Sequence, residues 1–304
     1  MDLSIIITTR NRKSELLSCI KSINASQHDI GTWEIIVVDD NSNDGTEKFE
    51  LADLEVANGK IIHNSVQQMT ARARNMGYEK SSGRFILFID DDNILDREMI
   101  RVLFDFALTN SVYGIVGPTM YYLKTKQKYL DFQKINLFTG KTSGMIDETN
   151  HAVCESDGVP NAFLIKREVF ENCGLFDEEL IQTFAESDFA FRAGRYGYKC
   201  GMLKKAKIYH NVTLADNKTA RALGGKFKQK AYCLMRNRTV IIVRHGNLFQ
   251  KTGYLLFFSW VWPLIYSLFM LREKRFDLVG LYWDGFFDGI RYFFTGRLVN
   301  SLKK

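Results

Sequence analysis

Four short apolar runs rich in Ile and Val punctuate the first part of the chain: LSIIITT (3–9), WEIIVVDD (33–40), KIIHN (60–64) and RFILFIDDD (84–92). Between them apolar positions recur at helical spacing, with Leu16, Leu17, Ile20 and Ile23 in one stretch and Met69, Ala73 and Met76 in another. Continuous apolar runs alternating with amphipathic helices predict strands buried on both faces. The expected class is α/β: a doubly wound, Rossmann-like, mostly parallel sheet flanked by helices. Past residue 95 the pattern is mixed. A helix is expected over 96–108, a strand over 113–123 and a polar, loop-rich insertion over 125–158. A strand and short helix follow within 159–180, then a helix from 185 and the strand AKIYH (206–210). Residues 211–225 read as a Gly-containing loop.

From 226 the character changes. FKQKAYCLMRNRTVIIVRHG (227–246) predicts a basic amphipathic helix, and YLLFFSWVWPLIYSLFML (254–271) is an 18-residue stretch without charge, followed by REKR. A span needs about 20 apolar residues. Pro263 interrupts this one, and Trp260 and Trp262 sit mid-run, so an interfacial or re-entrant helix and a single crossing both fit. The expected division is an α/β domain over 1–225 and a helical, membrane-associating extension over 226–304.

Charge sharpens that division. The net charge is +6, but residues 1–194 carry 20 basic and 30 acidic side chains against 21 and 5 over 195–304. The basic third therefore faces something anionic, and its pairing with an uncharged 18-mer favours the cytoplasmic face of a membrane over nucleic acid. The five cysteines are scattered and lack CxxC spacing, which suits a reducing compartment. No basic stretch followed by a long apolar run stands at the N-terminus, so no signal peptide is expected. Nothing in the composition excludes a homo-oligomer.

In open α/β sheets ligands bind at the carboxyl ends of the strands. Three polar clusters fall there: Thr8-Thr9-Arg10-Asn11-Arg12, Asp39-Asp40-Asn41-Ser42 and Asp90-Asp91-Asp92. Each alone also reads as a turn with a helix N-cap. Strand alternation would put Asp90 and Asp92 on one side, where they suit a hard divalent cation, and Asp91 on the other. The first strand runs into TTRNR rather than G-x-G-x-x-G, which disfavours a dinucleotide-binding dehydrogenase.

The order TTRNR, VVDDNSNDGT, ARNMG (73–77), SGRFILFIDDD, FLIKREVFENCGLFDEEL, AESDFAFRAGRYGYK and AKIYH resembles the family 2 glycosyltransferases over roughly 1–212. The nearest flavour is the rhamnosyl- and galactofuranosyltransferase-like branch. The resemblance implies a GT-A fold and an inverting, metal-dependent transfer from a UDP- or dTDP-type sugar nucleotide to a hydroxyl of a glycan or lipid-linked acceptor. By position it gives Thr8, Asp39 and Asp40 to the nucleotide base, and Arg12 and Arg74 to the base or diphosphate. Asp90 and Asp92 match its D-x-D, with Asp90 also reaching the ribose and Asp91 counted in the same donor-binding cluster. By the resemblance alone His210 would join Asp90 and Asp92 on Mg²⁺ or Mn²⁺, since a lone His is more often structural. The family's E-D-x-D-x-x-x-R segment corresponds to Ala185-Glu186-Ser187-Asp188-Phe189-Ala190-Phe191-Arg192, so the base falls on Glu186, with Asp188 the alternative. On one helix those two lie about 200° apart and cannot share a role. The departure at Ala185 leaves open a catalytically decayed, nucleotide-sugar-binding or membrane scaffold of the same fold.

Overall fold

A computed structural model describes residues 1–26, 30–55, 58–212 and 228–301. The chain divides into two compact units. The first comprises Met1–Gln133, Gly144–Glu178 and Glu186–Asn211; the second comprises Lys134–Ser143, Glu179–Ala185 and Val212–Lys304. The boundary expected at 225/226, and most of the loop expected over 211–225, lie outside the described residues.

In the first unit the apolar runs form β1 (Leu3–Thr9), β2 (Trp33–Asp39), β3 (Gly59–His63) and β4 (Phe85–Asp90). β1 pairs in parallel with β2 and β4, and β2 with β3, so their carboxyl ends share one edge. Helices α1 (Lys13–Asn24) and α2 (Thr70–Glu79) connect them. Five to six consecutive buried residues in each of β1, β2 and β4 mark strands covered on both faces. α2 lies close against the sheet because Gly77 has no side chain; a Cβ there would fall 2.4 Å from Ile6 Cγ2.

The remainder departs from a purely parallel sheet. β5 (Asn93–Leu95), α3 (Met99–Thr109) and β6 (Tyr113–Tyr122) are followed by β7 (Lys128–Leu130), β8 (Phe132–Ile135), β9 (Thr142–Met145) and β10 (Val153–Glu155). The insertion over 125–158 is loop-rich as expected, but its loops connect four short strands. Their few residues per strand and half-exposed faces leave little apolar signal in the sequence. β11 (Ala162–Lys166) runs antiparallel between β4 and β6. A wholly buried run such as AFLIK reports burial, not direction. α4 (Arg167–Cys173) and α5 (Ala185–Arg195) lead to β12 (Lys199–His210), longer than AKIYH alone and parallel to β6 across a register shift between Leu203 and Lys207. Phe88, Phe163, Phe170, Phe176 and Phe189 stack at ring separations of 4.8–6.1 Å and fix α4 and α5 on β4 and β11.

The second unit is helical: α6 (Lys228–His245), α7 (Leu248–Gly253), a π-helical turn (Tyr254–Phe258), α8 (Val261–Arg272) and α9 (Phe276–Thr295). Ala231, Met235, Met270, Leu278 and Tyr282 form its core. Gly285 brings α9 onto α6, since a Cβ there would fall 2.2 Å from the Tyr232 carbonyl oxygen. The expectation of a basic amphipathic α6 facing lipid is corrected here. Residues 231–233 and 235–242 are buried without a break, Arg236 and Arg238 included. Sequence periodicity could not show this because both arginines lie where a solvated face was expected.

Candidate functional site

β4 ends at Asp90, and Asp91 and Asp92 occupy a turn before β5. The alternation expected to pair Asp90 with Asp92 therefore fails, because the pleat stops one residue too early. Asp91 and Asp92 instead share one arginine: Arg12 Nη1 donates to Asp91 Oδ1 at 2.9 Å and to Asp92 Oδ2 at 2.8 Å. Asp90 accepts from a second arginine, Arg74 Nη2, at 2.7 Å. The other arm of Arg74 donates to Glu186 Oε1. Arg74 is buried over the Phe163 ring, so its fork is held from beneath.

Four carboxylates against two guanidiniums set the electrostatics. Burial opposes charge on both arginines, but the carboxylates outweigh it and hold both above the ordinary arginine value. Burial raises Asp90 despite Arg74. It pushes Asp91 up to about 7, against Arg12 and the hydroxyl of Thr9, which donates to Asp91 Oδ2 at 2.8 Å. Burial acts on Asp92 too, yet His210 and Arg12 hold that carboxyl below its usual value.

The two alternatives for the base occupy different surroundings. Asp188 is fully buried and accepts from Arg192 Nε at 2.8 Å, while Arg192 Nη2 donates to the Leu175 carbonyl at 2.7 Å and Nη1 to that of Cys173. That set ties α5 to the end of α4. Glu186 is partly exposed and meets Arg74.

His210 ends β12 with Nε2 at 3.4 Å from Asp92 Oδ2. Its Nδ1 lies 2.9 Å from the Tyr129 hydroxyl. Among the described residues no three His, Cys, Asp or Glu side chains converge on one point. The expected trio of Asp90, Asp92 and His210 is thus not assembled, because Asp90 turns to Arg74. The pair that is assembled still suits a divalent ion. One carboxylate and one imidazole are an adequate protein share where phosphate oxygens and water supply the rest, and the cluster carries two negative charges in excess when all four carboxylates are ionised.

Asp39 and Asp40 organise the neighbouring loops. Asp39 accepts from the Ser42 N–H at 3.1 Å, and its Oδ2 lies 3.0 Å from His63 Nδ1. Asp40 accepts from the N–H groups of Gln68 (2.6 Å) and Met69 (2.9 Å) and from Asn64 Nδ2 (3.1 Å). Thr8 stands opposite Asp90 and Val38 in the sheet register. Sequence reasoning missed His63 and Tyr129. Asn11, Asn41, Met69 and Asn161, in the loops that carry these contacts, all adopt positive φ. Backbone strain of this kind concentrates at functional sites.

A family model described as glycosyl transferase family 2 matches residues 4–174. That match ends before the segment carrying Glu186. The dTDP-rhamnosyl transferase RfbF of Shigella flexneri is 26% identical over 180 residues, 58% of this chain and 60% of that protein. The UDP-Glc:alpha-D-GlcNAc-diphosphoundecaprenol beta-1,3-glucosyltransferase WfgD of Escherichia coli is 29% identical over 114 residues, 38% and 44% of the two chains. The chain spans less than two thirds of the length of these relatives. Among solved structures, the mannosyltransferase PcManGT of Pyrobaculum calidifontis, in complex with GDP-Man and Mn²⁺, superimposes with a TM-score of 0.60 over 95% of this chain and 86% of its own, at 14% identity. S. aureus TarS 1-349 gives 0.56 over 99% and 93%, also at 14% identity. These likenesses carry the fold, which is the GT-A arrangement expected from the sequence.

Proposed function

Since the chain belongs to the family 2 glycosyltransferases, we propose that it transfers a sugar from a UDP- or dTDP-type nucleotide to a hydroxyl of a glycan or lipid-linked acceptor, with inversion. The observation that carries this reading is the Arg74 fork, which ties Glu186 to Asp90 at the carboxyl edge of the parallel strands. Glu186 takes the proton of the attacking hydroxyl, and Asp188 is the helix strut. Arg12 and Arg74 offer cations to the diphosphate leaving group, exchanging carboxylate partners for phosphate oxygens as the donor enters. Asp92 and His210 would hold Mg²⁺ or Mn²⁺, which when bound neutralises charge developing on the diphosphate. For His210 Nε2 to offer a lone pair, Nδ1 carries the hydrogen and donates to Tyr129. Asp39, Asp40 and Thr8 frame the base side of the donor.

The second unit supplies the membrane contact. Among the described residues one helix, Leu248–Arg272, is long and apolar enough to cross a bilayer. One of its sides carries Tyr254, Ser259, Pro263, Ser267 and Met270, all buried. The other exposes Leu256, Phe257, Trp260, Leu264, Ile265 and Leu268, with Lys251 at one end and Arg272, Lys274 and Arg275 at the other. A helix packed along one side suits in-plane insertion at an anionic surface better than a crossing. The five free thiols support a cytoplasmic side for that surface.

The test is a panel of UDP- and dTDP-sugars with Mg²⁺ or Mn²⁺, reading release of nucleoside diphosphate and the mass of the glycosylated product. Metal-stimulated transfer is expected. Donor binding without any transfer would move the reading to a scaffold, and no nucleotide binding at all would refute it.

A further inference from the structure

Arg236 and Arg238 stand two residues apart on α6 and are both buried, yet only one is satisfied. Arg236 donates through Nε to Asn237 Oδ1 at 2.9 Å, through Nη1 to the Val299 carbonyl at 3.1 Å, and through Nη2 to that of Glu179. Arg238, 3% exposed, meets no carboxylate or carbonyl among the described residues. Its Nε is buried without a partner, and Nη1 reaches only the Met235 sulfur at 3.9 Å. The guanidinium lies against two rings, 4.3 Å from the centre of Trp262 and 5.8 Å from that of Tyr266. A buried cation with rings but no anion is costly, and cation–π contacts offset only part of that cost.

The surroundings are fixed and say what would complete them. Trp262 Nε1 donates to the Thr139 carbonyl at 2.7 Å, which sets the indole plane. Gly140, at φ +72°, brings backbone against the arginine stem; a Cβ there would lie 2.9 Å from Arg238 Cδ. Trp262 and Tyr266 are half-buried and flank the packed line of Pro263, Ser267 and Met270 on α8, next to the exposed Leu264, Ile265 and Leu268. The position therefore combines a buried Nε–H without a partner, and an Nη1 that meets only sulfur, with an adjoining apolar surface. A phosphate on a lipid chain has the matching chemistry, with oxygens for the guanidinium and hydrocarbon for the face.

We infer that Arg238, flanked by Trp262 and Tyr266, is the phosphate-binding residue of a subsite for a lipid-borne phosphate. This rests on the proposed use of a lipid-linked acceptor at a membrane surface and names the group by which such a lipid is held.

The full chain is titrated, with no sugar donor present, with farnesyl diphosphate and with inorganic pyrophosphate while tryptophan fluorescence is followed. In parallel it is sedimented with phosphatidylglycerol vesicles. Arg238→Met, which fills the stem volume without charge, is expected to weaken farnesyl diphosphate binding by about tenfold or more. Its thermal midpoint should hold or rise, since an unpaired buried charge has been removed. Vesicle sedimentation that falls in Arg238→Met, without farnesyl diphosphate binding, supports the same chemistry with the bilayer headgroup as its source. Three results overturn the inference: equal binding of both lipid probes by variant and parent, pyrophosphate bound as tightly as farnesyl diphosphate, or a lowered midpoint with unchanged affinity, which would make Arg238 a structural strut. Because no donor is used, failure here leaves the transfer reading standing, and failure of the donor panel leaves this result standing.

Discussion

Glu186→Gln and Asp188→Asn separate the carboxylate proposed to react from the one proposed to be structural, two residues away. In Glu186→Gln, Arg74 keeps Asp90 as its ionic partner and the amide oxygen as an acceptor, so the stability loss should be about 1 kcal/mol. Transfer should nevertheless fall about 10²–10⁴-fold, the usual contribution of a positioned base, while donor affinity stays near the parent's. Asp188→Asn does the opposite. The amide still accepts from Arg192, but the charge is lost in a fully buried position. Truncating a buried pair costs about 3–5 kcal/mol. Arg192 is 22% exposed and keeps its two carbonyl acceptors, so about 2 kcal/mol is the better figure. At about 2–4 °C per kcal/mol for a unit of this size, the melting point should drop by about 4–8 °C. Residual activity per folded molecule should stay within several-fold. The assays are differential scanning fluorimetry, calorimetric donor titration and product formation on the same preparations. An active Glu186→Gln, or an Asp188→Asn that melts normally and transfers nothing, would refute the assignment.

Gly77→Ala should destabilise by about 1–3 kcal/mol, because the new Cβ meets Ile6 and displaces α2; it should also raise the donor KM through Arg74, one turn away, as denaturant melts and kinetics will show. Tyr129→Phe keeps the ring against Tyr122 but loses the contact to His210. It should weaken Mn²⁺ binding about tenfold in a paramagnetic-resonance titration, with His210→Ala weakening it more; no change in either variant would remove His210 from the metal site. Asp91→Asn should retain the Thr9 contact and cost less activity than Asp90→Asn or Asp92→Asn, and equal losses in all three would contradict the proposed roles of Asp90 on Arg74 and of Asp92 beside His210. Leu264→Asp with Leu268→Asp should abolish vesicle flotation without altering the melting point, since both side chains are exposed; unchanged flotation would refute the in-plane helix.

What the sequence made legible was governed by burial. Ile-rich runs such as Ile5–Ile7 and Ile86–Ile89 could only be strands covered on both faces, and the polar clusters at their ends had to gather at one edge. The direction of β11 was not legible, because a wholly apolar strand carries no polarity. The pairing of Asp91 with Asp92 was hidden because it depends on where β4 stops, and strand ends are the least determined feature of any sequence pattern. Glu186 and Asp188 looked interchangeable as residue types. What separates them is which side of α5 faces Arg74 and which is buried with its own Arg192, a matter of packing among Phe170, Phe176 and Phe189. Arg236 and Arg238 misled for a related reason: charge usually marks a solvated face, and here one arginine is fully bonded inside the unit while the other is left over.

The π-helical turn at Tyr254–Phe258, closed by the Ser259 N–H donating to the Tyr254 carbonyl at 2.8 Å, holds one residue more than an α-helical turn would. Deleting a single residue there would let the segment relax to an ordinary α-helix at little cost in backbone bonding. Because the extra residue is absorbed inside the turn, that deletion would leave everything beyond it in its present orientation, whereas an α-helical path that kept the residue would rotate α8 by about 100° relative to α7. The turn therefore sets which side of α8 is packed through Pro263, Ser267 and Met270 and which side is left exposed, independently of the α/β unit and its chemistry.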